Sequence, residues 1–110
     1  MDQIETPEAL ATAIKATRRG RALVVLIGAS WCAPCKVFKP VVEEAFSKGF
    51  NLVYLDADKK WVGEGTFGSK VKVRGVPILL IYRHGKLAKY TGGAASVEEL
   101  QKWARGRARG

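Results

Sequence analysis

The run Ala22-Leu-Val-Val-Leu-Ile27 has no polar residue at any position, so a strand built from it has to be covered on both faces. A sheet with cover on both sides needs helices, and the following stretch supplies one. Val37, Phe38, Val41, Val42, Ala45 and Phe46 recur at helical spacing, while Lys39 with Glu43 and Glu44 with Lys48 form pairs for the wet side. Pro40 removes a backbone donor within this helix, and a bend is expected there. A second apolar run, Leu52-Val-Tyr-Leu55, completes a strand–helix–strand unit. Such a unit implies parallel pairing of its two strands.

The flanking segments extend this unit without repeating it. Thr6-Pro7-Glu8 has the form of a helix start, with Thr6 as N-cap and Pro7 in the first turn. Leu10, Ala13, Ile14 and Thr17 then share one face, and Gly20 is expected to end the helix. Residues 59–75, rich in glycine, read as loop with room for a short helix. Ile78–Tyr82 and Lys86–Thr91 flank Arg83-His84-Gly85, which signals a hairpin. Ser96 and Glu99 have capping-box spacing ahead of a last helix with Val97, Leu100, Trp103 and Ala104 on one side. The expectation is an α/β fold with a central mixed β-sheet flanked by helices, forming one domain over residues 1–110.

Between the first strand and its helix lies Trp31-Cys32-Ala33-Pro34-Cys35-Lys36, with the only two cysteines of the chain. They can pair with each other, with a substrate or partner thiol, or with a metal. A closed zinc site needs a full tetrahedral set of Cys and His ligands, and beyond the two cysteines this chain offers only His84. A structural disulfide across so short a loop would restrict the unfolded chain little. A redox dithiol fits better. Cys32 falls at the helix N-terminus, where unpaired N–H groups and the helix dipole favour a thiolate over a thiol. Cys35 lies about one turn further in and is expected nearer the interior, with the higher pKa. Cys32 is thus the expected nucleophile toward a disulfide, and Cys35 the thiol that resolves the mixed disulfide. No metal or other cofactor is called for.

The Cys motif, Pro40, Arg74-Gly75-Val76-Pro77 ahead of a strand, and Gly92-Gly93 ahead of the last helix together resemble the thioredoxin family over nearly the whole chain. Cys-x-x-Cys beside a strand–helix–strand unit is a general sign of that family's redox chemistry, and a distant Val-Pro makes it far more specific. The resemblance implies the thioredoxin fold and protein thiol–disulfide exchange. It implies a cis Val76–Pro77 bond, with the residue 76 backbone open to an incoming peptide strand. It also implies an apolar substrate surface of Trp31, Ala33, Pro34, Gly75, Val76, Pro77 and Gly92. Disulfide-containing proteins become the expected substrates, a thioredoxin-reductase-type enzyme the electron donor, and a cytoplasmic monomer the working form. Ala33-Pro34 is close to the Gly-Pro pair of reducing members, which favours reduction over the alternative of an exported oxidase or isomerase.

Several positions depart from that family. Leu26 stands where a buried aspartate is common, Tyr54 where a lysine often accompanies it, and Gly28 where an aromatic residue is usual. Cys35 is therefore left without an evident proton relay, and space is expected behind the site. The segment from Asp58 to Pro77 is a few residues longer than usual, and Trp61 or Phe67 within it is expected to fill core space. Composition adds one further feature, a net charge of +9. Arg18, Arg19 and Arg21, then Lys59, Lys60, Lys70, Lys72 and Arg74, then the arginines of residues 105–110, make an acidic partner surface a second possibility, with the fold serving as a binding module. No nucleic-acid motif accompanies them. No apolar run approaches the length of about 18 residues that a membrane span requires, and residues 1–20 lack the pattern of a leader. His84, in its turn, has no neighbour that suggests catalysis.

Overall fold

The computed structural model describes residues 1–63, 71–91 and 95–108. Its elements run β1 (Asp2–Gln3), α1 (Pro7–Ala16), β2 (Ala22–Gly28), α2 (Ala33–Ala45), β3 (Phe50–Asp56), α3 (Lys60–Gly63), β4 (Ile78–Arg83), β5 (Lys86–Thr91) and α4 (Val97–Ala108). The sheet order is β1-β3-β2-β4-β5. β2 lies parallel to β3 and antiparallel to β4, so the sheet is mixed, as the apolar runs and the hairpin signal predict.

β2 is buried at every one of its seven residues. Its side chains divide by parity. Leu23, Val25 and Ile27 join Leu10, Leu55, Val62, Val71, Ile78 and Leu80 in one apolar cluster, on the side of α1 and α3. Ala22, Val24 and Leu26 join Phe38, Val42, Phe46, Leu79, Ile81 and Leu100 in the other, beneath α2 and α4. Each large apolar side chain so buried contributes about 1.5–3 kcal/mol relative to exposure. The strand is therefore the wall shared by two cores, and it delivers the chain directly to the Cys motif.

α1 starts as expected, with the Ala9 N–H donating to Thr6 Oγ1 at 3.1 Å. It ends earlier than Gly20. Thr17 is the C-cap, and the Arg18 and Arg19 N–H groups donate to the Lys15 and Ala16 carbonyls, three residues back, tightening the chain out of α-helical geometry. Thr17 is buried and fully used. Its hydroxyl donates to the Ile14 carbonyl at 2.7 Å and accepts from the Gly85 N–H at 3.2 Å, while its carbonyl takes the His84 N–H. One side chain thereby ties the end of α1 to the β4–β5 turn. That turn uses His84 at φ 52 and Gly85 at φ 79, the two positive values of a tight primed hairpin turn. Thr17→Val should lower unfolding free energy by about 1–3 kcal/mol, the loss of the hydroxyl's two part-buried hydrogen bonds, in urea titrations. Thr17→Ser should recover most of it.

α2 runs through Pro40 to Ala45, with the proline inside the helix as the pattern places it. Pro40 and Lys36, whose carbonyl loses its donor, are both exposed, so water can take the missing place. Val37, expected on the buried face, is 72% exposed. The buried stripe is instead Cys35, Phe38, Val42 and Ala45, and Val37 falls outside it. α4 opens on the expected capping box, Ser96 and Glu99 exchanging backbone N–H bonds with each other's side chains. In the long segment, α3 is a single turn, and Trp61 packs against the α1-side core with its indole N–H on the Glu5 carbonyl at 3.1 Å. Phe67, Gly92 and Gly93 lie outside the described residues. Among the described residues no helix is long and apolar enough to cross a membrane.

Candidate active site

β2 ends at Gly28, and three residues later the chain enters the Cys motif. Cys32 is the N-cap of α2, with extended backbone, and its Sγ accepts the Cys35 N–H at 3.2 Å. The helix start thus offers the sulfur an otherwise unsatisfied donor. Pro34, in the first turn, has no N–H to leave unsatisfied. Cys32 and Cys35 form a disulfide, with Cα atoms 5.3 Å apart. The two are about equally covered, 4% and 5% exposed, so depth alone does not separate them as the sequence pattern suggests. Their neighbours do. Cys32 Sγ is 3.8 Å from the Val76 carbonyl, and the pair packs with Ala29 and Val76. Cys35 Cβ borders the space above Gly28.

The expected substrate surface is placed around this disulfide in part. Val76–Pro77 is cis, with Val76 half-buried against the sulfurs and Pro77 buried. Trp31, Ala33, Pro34 and Gly75 are exposed. A Cβ on Gly75 would meet nothing within 4 Å, so the backbone beside Val76 is open on that side. Gly92 lies outside the described residues. Trp31 is 69% exposed yet held, its indole N–H donating to Asp58 Oδ1 at 2.9 Å. Asp58 is itself set by its N–H on Asp56 Oδ1 at 2.9 Å. This anchor is not legible from the motif; an aspartate two residues past a strand is a common turn residue. The exposure of Val37 is likewise absent from the pattern, and Met1, Trp31 and Val37 are the exposed large apolar side chains among the described residues.

On the other side of the disulfide the space expected behind Gly28 is filled. A Cβ at Gly28 would lie 2.9 Å from Tyr54 Oη and 3.4 Å from Cys35 Cβ. The Tyr54 side chain occupies the place that a larger residue at 28 would take. Burial, then Asp56 and Asp58, push the Tyr54 pKa up, so the phenol keeps its proton. Lys39 Nζ stands 5.3 Å from the centre of the Tyr54 ring. Leu26 is fully buried in the α2-side core. Register places His84 at the far end of the sheet from the cysteines, since Ile78 pairs with Ile27 and Tyr82 with Leu23. Among the described residues no three His, Cys, Asp or Glu side chains gather into a metal-binding set.

A cysteine pair joined at the start of a helix, on a mixed sheet and beside an exposed apolar rim, is an arrangement suited to thiol–disulfide exchange. Comparison with known proteins agrees. The Thioredoxin family profile matches residues 3–106, and the chain belongs to the thioredoxin family. It is 31% identical over 81 residues to a thioredoxin domain-containing protein of Theileria parva, covering 71% of this chain and 35% of that protein. It is 29% identical over 82 residues to a thioredoxin of Mycoplasmoides gallisepticum, covering 73% of this chain and 78% of that protein. The chain thus spans about a third of the first relative's length, 35%, and most of the second's. The crystal structure of oxidised mitochondrial thioredoxin 3 from Saccharomyces cerevisiae superposes with a TM-score of 0.73 over 96% of this chain and 94% of that one. At 21% identity that likeness speaks to the fold alone.

Proposed function

We propose that this protein reduces disulfides in other proteins. Cys32 attacks the substrate disulfide, Cys35 resolves the mixed disulfide, and a thioredoxin-reductase-type donor returns the pair to the dithiol. The observation that carries the order of attack is the Cys35 N–H on Cys32 Sγ at 3.2 Å, since a helix-start donor stabilises the Cys32 thiolate. The exposed Trp31, Ala33 and Pro34, with the open backbone at Gly75 and Val76, support docking of an extended peptide beside the sulfurs. A working place in the reducing cytoplasm goes with this reading.

The direction of exchange is a matter of potential. Equilibration of the Cys32–Cys35 pair in defined thiol–disulfide buffers, followed by alkylation, should give a value near about −270 mV, that of a reductant. A value near about −120 mV would overturn the reading in favour of an oxidase. The exposed Arg18, Arg19, Arg21, Lys59, Lys60, Lys72 and Arg74 support acidic surfaces on the partners. Such a contribution would show as partner affinity that falls steeply with salt.

A further inference from the structure

In the resolving step the Cys35 thiol must lose its proton before its sulfur can attack, and Leu26 stands where the family resemblance implies a buried acid. The α2 side of β2 therefore offers no carboxylate from within the strand: its residues there are Ala22, Val24, Leu26 and Gly28. What it offers instead is the bare backbone of Gly28, with the Tyr54 hydroxyl and Cys35 Cβ both close to where its side chain would be. Cys35 and Tyr54 also line one cleft of about 240 Å³, together with Met1, Gln3, Ser30, Lys36 and Lys39. Cys35 thus borders a cleft that it shares with the phenol.

We propose that Tyr54 is a positioning residue for the exchange reaction, its hydroxyl, seated where a side chain at Gly28 would be, donating a hydrogen bond to the Cys35 thiolate. The inference rests on the reductant reading for its place in the cycle. A phenol that holds its proton can donate but is a poor base, so Tyr54 lowers the cost of the thiolate rather than removing the proton itself. The proton leaves through the cleft to water. Cys35 Sγ then bonds to Cys32 Sγ, the bond between Cys32 and the substrate sulfur breaks, and its electron pair departs on that sulfur, which takes a proton from water. Over the cycle the dithiol loses two electrons and the substrate disulfide gains them.

The charged groups around this point are few. Asp56 and Asp58 approach the phenol from β3 and its following turn, Lys39 lies over its ring from α2, and Lys36 and the Met1 segment border the cleft. The strand β2 contributes no charge. Burial and then the two carboxylates hold the proton on Tyr54, while the two lysines favour a thiolate nearby, so the surroundings act in the same sense as the proposed bond.

The test is an NMR titration of the labelled cysteine Cβ carbons in the fully reduced protein, which reads the two thiols separately. Tyr54→Phe should raise the Cys35 pKa by about one unit, a tenfold loss of thiolate at a given lower pH, and leave Cys32 in place. The same variant should slow resolution of a preformed mixed disulfide about tenfold at neutral pH and leave the first attack unchanged. Gly28→Ala keeps the phenol but puts a methyl 2.9 Å from its oxygen, and should shift Cys35 in the same direction. Identical Cys35 titrations in the parent and both variants would overturn the proposal. Failure of the parent protein to reduce any disulfide would instead overturn the reductant reading, and the titration would still decide the role of Tyr54.

Discussion

Cys35→Ser is expected to accumulate as a covalent adduct with its substrate, joined through Cys32, while Cys32→Ser forms no adduct and exchanges no disulfide. The asymmetry follows from the N-cap. Cys32 Sγ sits where the start of α2 presents the Cys35 N–H, and removal of the Cys35 sulfur leaves that backbone donor in place. The nucleophile is thus preserved and only the escape from the mixed disulfide is lost. For both variants the turnover of a model protein disulfide should drop to the uncatalysed rate, a loss of several orders of magnitude. Mass spectrometry of trapped adducts after non-reducing electrophoresis distinguishes them. Adducts on Cys35 of the Cys32→Ser variant, at comparable yield, would reverse the assigned roles.

Leu26→Asp, which restores the acid common at this position, should cost about 3–5 kcal/mol of unfolding free energy at neutral pH. Leu26 is fully buried beside Phe38 and Val42, on a face whose other strand residues are apolar. The substitution removes packed methyl groups and places a carboxyl among hydrocarbon. The pH dependence has a definite sign. Burial disfavours the carboxylate, so the folded-state pKa of the new group lies above its unfolded value of about 3.9. The folded state then binds more protons than the unfolded state, and stability falls as pH rises through that value and levels off above the folded pKa. Urea unfolding at pH 4 and pH 8 should therefore show a larger deficit at the higher pH. A loss under about 1 kcal/mol, equal at both pH values, would mean that the neighbouring Tyr54 and the cleft already accommodate an acid.

How much of the molecule is legible from the chain depends on what kind of interaction fixes each part. The apolar run of β2, the stripe of α2, the capping residues Thr6 and Ser96 and the His84-Gly85 turn are local patterns, and each element appears where its pattern lies. β1 has no such pattern. Its two residues are exposed, and it exists because Asp2 and Gln3 find Val53 and Tyr54 beside them, with the Ile4 N–H on the Tyr54 carbonyl extending the contact. The cysteines, the cis Val76–Pro77 bond and the exposed rim are placed by motif. The occupant of the space at Gly28 is not, because it depends on strand register and on the rotamer of a side chain far away in sequence. Gly28 itself is the one available sign, a residue without a side chain at the end of a strand where bulk is usual.

The division of β2 between two cores has a consequence for how such a protein can change. Successive side chains of this strand serve opposite sides of the sheet, so gaining or losing one residue within it would exchange the two sets wholesale. Leu23, Val25 and Ile27 would be thrust toward α2, and Gly28 would turn its bare side away from Tyr54. Descendants of this chain can thus accept substitutions in β2 only one for one. Its length is a heritable measure, kept by packing on two fronts at once.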